Sequence, residues 1–157
     1  MWGSRLFKLR ARLGSRCRPG KPRRNRLTPR PSGRLRRRLT QALGLMKITE
    51  SQRQIAEQYG SEFAPPRPDE IVGVAFDSLG QLPLNALRHP AQGSTCGWYI
   101  WGGELSQDPA FFESLHASHL PRYVPELVPF MALEPGWRVL LIKGHTDVWY
   151  DPELLKI

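Results

Sequence analysis

The spacing of apolar positions changes character partway along the chain. Up to about Leu45 apolar residues such as Trp2, Leu6, Phe7, Leu9 and Leu13 interleave with basic ones and are too few to build a core. From Met46 onward they fall into periodic blocks. Thr49 and Gln52 match the capping-box pattern that opens a helix. Ile55, Ala56 and Tyr59 give that helix a narrow apolar stripe, and Gly60 is a natural stop. Phe63–Pro68 (FAPPRP) cannot remain helical and is read as an extended linker. Ile71–Asp77 (IVGVAFD) predicts a buried strand, followed by a turn at 78–80 and a loop holding Pro83, Arg88, His89 and Pro90. Cys96–Glu104 (CGWYIWGGE) predicts an aromatic strand with Trp98 and Ile100 on one face and Tyr99 and Trp101 on the other.

Asp108-Pro109 reads as a helix start, carrying Phe111, Phe112 and Leu115 inward until Pro121. Pro125 and Pro129 break the next apolar stretch into short helical turns. Gly136–Gly144 (GWRVLLIKG) is the strongest strand pattern, with Trp137, Val139 and Leu141 on one face. Asp147–Tyr150 (DVWY), after a Gly-His-Thr connection, completes a hairpin, and Asp151-Pro152 opens a short C-terminal helix. The order predicts an α+β domain: one small antiparallel or mixed sheet with a few short helices, preceded by a disordered basic tail.

Charge falls along the same boundary. The 157 residues carry a formal net charge of +9, which at first sight points to nucleic acid. Residues 1–45, however, hold 15 of the 23 Lys and Arg and no acid, leaving 8 basic against all 14 acidic residues in 46–157. The domain is therefore −6. With prolines, glycines and few large apolar groups, residues 1–45 cannot build a core. Three readings compete for them: a phosphate-gripping arm, an organelle-import presequence, or upstream translation from a start codon placed too early. We favour the last, with Met46 as the natural start. Cys17 and Cys96 are too few for a disulfide framework. No apolar run reaches the roughly 18 residues of a membrane span.

Candidate chemistry is sparse. His116 and His119, three apart on the expected second helix, would share a face, but a zinc site needs further ligands. Cys96 in GSTCG sits one place too late for a nucleophile elbow and is read as a buried thiol. No catalytic residue, metal ligand or cofactor is assigned. The clusters Trp98, Trp101, Glu104 and Asp147, Trp149, Asp151 remain. The strands alternate, so not every aromatic faces inward. Trp149 flanked by Asp147 and Asp151 suits a protein partner, with aromatic anchors inside an acidic rim. These six residues are the predicted partner-binding set.

GWYIWGGE, DPAFFESLHASHL, PGWRVLLI and DVWYDPELL, with LRHP at Leu87–Pro90, resemble the immunity-protein-33-like domain family, found beside bacterial polymorphic toxins. The resemblance runs from about Gly73 to Leu155 and leaves residues 1–45 without a counterpart. It implies a small cytoplasmic protein that neutralises a cognate toxin by direct binding, without catalysis or cofactor. The −6 balance, independently, fits a basic toxin. Rival expectations are a small enzyme using Cys96 or the His116/His119 pair, and a nucleic-acid-binding or organelle-imported protein led by the tail. Nucleic acid is expected as a partner only if that tail is real; a membrane is not expected.

Overall fold

The computed structural model describes residues 33–156. The expectations for residues 1–32 lie outside that range. Helix α1 spans Gly33–Tyr59 and stops where Gly60 takes a positive φ of 70°. Residues 33–45, expected to be disordered, are thus its first turns. Thr49 is not a cap. It lies inside the helix with its hydroxyl donating to Leu45 O at 3.0 Å. Leu39, Gln41, Ala42 and Leu43 are helix formers, and the helix runs on through Gly44 to Thr49. Gln52 does not reach back to Thr49 either; its amide donates to Val128 O at 2.9 Å in the interior. Side chains from Arg36 to Lys47 are exposed, and packing begins at Ile48. The predicted stripe then holds: Ala56 is buried, and Ile55 and Tyr59 pack on the core.

Six strands form one mixed sheet: β1 Ile71–Val74, β2 Leu84–Arg88, β3 Thr95–Gly102, β4 Glu113–His116, β5 Trp137–Ile142 and β6 His145–Tyr150. Their order is β4-β1-β3-β2-β5-β6. Only the β1–β3 pair is parallel; the other ladders are antiparallel. The α+β class is as the patterning predicts.

Three local expectations change. The segment read as a loop around Arg88 contains β2, which pairs with both β3 and β5 and so lies in the middle of the sheet. The helix predicted from Asp108 is a turn followed by β4. Asp108 does cap, its Oδ1 accepting from Ala110 N at 2.9 Å and its carbonyl from Phe111 N at 3.0 Å. The chain then extends because the free edge of β1 offers a full ladder to Glu113–His116. The β5–β6 hairpin turns on Lys143-Gly144 alone, with Gly144 at φ 79°.

The two faces of the sheet are unequal. Val72, Val74, Leu84, Ala86, Trp98, Ile100, Leu115 and Val139 point to an inner face. Leu120, Val124, Leu127, Phe130, Met131 and Leu133 close over it, from 3-10 turns at Ala117–Arg122 and Pro125–Phe130 and the loop after them. The prolines at 121, 125 and 129 keep these turns short, as expected. The outer face carries a smaller cluster: Ala75, Leu87, Trp101 and Leu154, with Tyr99, Phe111 and Phe112 against it.

Arg88 binds the layers together. It is 6 % exposed, and its Nε donates to Cys96 O at 3.1 Å. Its Nη1 donates to Ala64 O at 2.6 Å and to Leu133 O. These carbonyls belong to β3, the proline-rich linker and the segment before β5. The guanidinium also lies 5.7 Å from the Trp98 ring centroid. Burial pushes the Arg88 pKa down. No carboxylate among the described residues forms an ion pair with it. Gly97 completes the joint: its φ is +83°, and a Cβ there would stand 1.9 Å from His89 O.

Replacing Arg88 by Met keeps an apolar stem but strands these carbonyls in the interior. The variant should lose about 3 kcal/mol or more, since each unsatisfied buried polar group costs roughly 1–3 kcal/mol. Urea denaturation should show a lower midpoint with an unchanged slope.

Candidate partner-binding face

Strand register lines up the outer face in rows. Tyr99 pairs with Leu87, Leu87 with Arg138, and Arg138 with Trp149. The neighbouring row runs Trp101, Asn85, Leu140, Asp147. One row thus joins the aromatic strand β3 to the edge strand β6, three strand spacings or roughly 14 Å away. Tyr99 can lie flat because β1 offers Gly73 beneath it; a Cβ there would meet the ring at 2.6 Å.

A concavity of about 340 Å³ opens on this face, lined principally by Leu87, His89, Tyr99, Trp101, Leu105 and Phe112. Phe112 stands edge-on to Tyr99 at 5.1 Å and to Trp101 at 6.1 Å between centroids. His89 packs edge-on to Tyr99 at 5.8 Å. Its Nδ1 lies 2.8 Å from Leu154 O, so that nitrogen carries the proton and donates. This bond ties the C-terminal turn Pro152–Leu155 across the outer face, where Leu154 is buried beside Leu87 and Trp101. The turn starts as predicted, with Asp151 accepting from Glu153 N.

The predicted partner-binding residues separate. Trp98 is 1 % exposed, on the inner face, with Nε1 donating to Met131 O at 3.0 Å. It is a core residue with no surface to offer, a correction that follows from strand alternation. Trp101 is nearly buried and forms part of the concavity's wall. Glu104 is exposed in the loop that follows β3 and precedes the lining residue Leu105. Asp147 and Trp149 are exposed on β6, Trp149 by 39 %. Asp151 is not a free acid: its Oδ2 accepts from Arg138 Nε at 2.7 Å. That hydrogen bond, first, and the one from Glu153 N hold its carboxyl below the ordinary value. The expected acidic ring around Trp149 therefore reduces to Asp147.

Tyr99, His89, Leu105 and Phe112 were absent from the predicted set. Strand alternation placed Tyr99 beside Trp101, but with β2 read as a loop nothing showed that a third strand continued that face.

The chemistry weighed from sequence takes definite positions. Cys96 is 1 % exposed, its thiol donates to Ile71 O at 3.3 Å, and burial pushes its pKa up. A protonated, enclosed thiol is a poor nucleophile. His116 and His119 do come together, their rings 6.0 Å apart, but on the end of β4 and a 3-10 turn. Among the described residues no group of three or more His, Cys, Asp or Glu is placed to hold a metal ion.

Two measurements follow. In a Cys17→Ser background, Ellman's reagent should label Cys96 at least about 100-fold more slowly in the native protein than in denaturant, because the buried thiol reacts only on opening. Asp151 sits below its ordinary value of 3.8, so the Arg138 pair stabilises at neutral pH and loses that contribution as pH falls below 3.8. Arg138→Gln should accordingly be less stable than the parent near neutrality, and acid-denaturation curves of the two should converge in strong acid.

No curated protein and no solved structure matches the chain significantly. The model of the Imm33-like domain family matches residues 51–151. That span begins near where α1 first packs on the sheet and ends at Asp151 after β6, taking in every strand and more than half of the chain. The chain belongs to the Imm33-like domain family.

Proposed function

We propose that this chain is a cytoplasmic immunity protein that neutralises a cognate bacterial toxin by direct, non-catalytic contact through the outer face of its sheet. Membership of an immunity-protein family supplies the class. The observation that carries the mode of action is the half-covered outer face, with its aromatic concavity and, on the same row, the exposed indole of Trp149. Aromatic anchors seated in surface pockets dominate binding energy at protein interfaces. Of the side chains named for an enzyme, Cys96 is enclosed in the core and His116 Nδ1 lies 3.1 Å from Asp69 O. The −6 balance of residues 46–157 favours a basic toxin and speeds its docking.

The test is co-expression with a toxin-like open reading frame found next to its gene. The parent chain should rescue growth and co-elute with the toxin as a stable complex. Trp149→Ala combined with Asp147→Ala should weaken the complex by about tenfold or more while leaving the thermal midpoint within a few degrees of the parent. A collapsed melt would show these residues to be structural. Rescue without any physical complex would overturn neutralisation by contact.

A further inference from the structure

We infer that the outer-face concavity is the seat of one arginine side chain of the toxin; this rests on the reading above of a toxin-binding protein. Leu87, Leu105, Tyr99, Trp101 and Phe112 give the concavity apolar and aromatic walls. His89, Gln92 and Thr95 are the polar part of the lining. The Tyr99 and Trp101 rings meet Phe112 at interplanar angles of 71° and 82°, so they form adjoining walls rather than a closed stack. A volume of about 340 Å³ suits a single long side chain and lies at the small end of ligand pockets.

Charge selects which side chain. From His89 to Pro121, the stretch that supplies every lining residue except Leu87, the chain has no Lys or Arg. Of its three acids Glu113 pairs with Val74 on the inner face, which leaves Glu104 and Asp108, both in the loop that delivers Leu105 and Phe112. Both are exposed. The nearby cations are committed elsewhere. Arg88 is buried against inner-side carbonyls, Arg138 beside Leu87 is paired with Asp151 at 2.7 Å, and Lys156 of the C-terminal segment is paired with Glu153 at 2.6 Å. The mouth is therefore negative, attractive to a cation and repulsive to a phosphate or carboxylate. An aliphatic stem can cover the apolar wall while the charged head lies over a ring face. Arginine meets both demands better than lysine, because its planar guanidinium stacks on aromatic rings and is less strongly hydrated.

The probe is N-acetyl-arginine amide, titrated into the isotope-labelled full chain and followed by the indole N–H of Trp101. N-acetyl-norleucine amide and N-acetyl-glutamate amide are the comparisons. The arginine probe should shift Trp101 saturably and leave the core indole of Trp98 unmoved. The response should weaken on adding salt, and norleucine and glutamate should give little. Glu104→Lys with Asp108→Asn changes only exposed groups and should weaken the arginine response by roughly threefold. Equal shifts with norleucine, or none with arginine, would overturn the assignment. Pocket resonances that move with protein concentration alone would show a second copy seated there and would overturn it too. Toxin rescue is scored separately. Rescue with no selective arginine response removes the pocket assignment alone; an arginine response without rescue removes the toxin as its source.

Discussion

A guanidinium taken out of water must recover its hydrogen bonds from the protein, and Arg88 recovers them from backbone. Its donors satisfy Cys96 O, Ala64 O and Leu133 O, three carbonyls that no single element of secondary structure would bring together. Each partner fixes something distinct: the start of β3, the path of the proline-rich linker, and the approach to β5. Gly136 N returns a bond to Arg88 O at 2.8 Å, so the same residue also anchors the turn into β5. Carbonyls rather than carboxylates do this, which avoids desolvating a second full charge. The cost of burying Arg88 is borne where the layers meet, and the arrangement of everything around it follows.

Closing the inner face uses nearly all the helical material. The packed half of α1 and both proline-bounded turns lie on one side of the sheet, held by contacts such as Gln52 to Val128 O and Trp98 to Met131 O. Among the described residues, the outer side receives only the loop with Phe111 and Phe112 and the C-terminal turn clasped by His89. That imbalance is what leaves the outer face available. It also explains why two tryptophans three residues apart, Trp98 and Trp101, have different surroundings. The first is sealed in the core; the second stands at the edge of an opening.

Residues whose neighbours in sequence decide their environment were legible from sequence alone. The facing of β3 and β5, the stop at Gly60, the proline-broken turns and the Asp151 cap all depend on local pattern. Residues decided by distant pairing were not. β2 contains Asn85 and Arg88 and looks like a loop, because its pattern is interrupted by polar groups whose partners lie far along the chain. Glu113–His116 carries a helix-compatible pattern and becomes a strand only because β1 leaves an edge to fill. Asp151 read as a free acid for the same reason: Arg138 lies 13 positions away in sequence and opposite in the hairpin. The site inherited these errors, since a face cannot be drawn without its middle strand.

Net charge misdirects for a related reason. The +9 of the whole chain is the +15 of residues 1–45 less the −6 of the rest, while charges act on a contact within a Debye length, about 8 Å. On the outer face the relevant charges are Glu104 and Asp108 at one end and Asp147 at the other, with Arg138 neutralised by Asp151 between them. Two aromatic sites, the concavity and Trp149, lie roughly 14 Å apart on one hydrogen-bonded sheet and hold that separation rigidly. A partner that fills one must present its second contact at the same spacing to gain from the other. Matching both is a demand on geometry rather than on total charge. On the reading proposed above, that demand is what would let a protein attracted to basic surfaces in general recognise one of them.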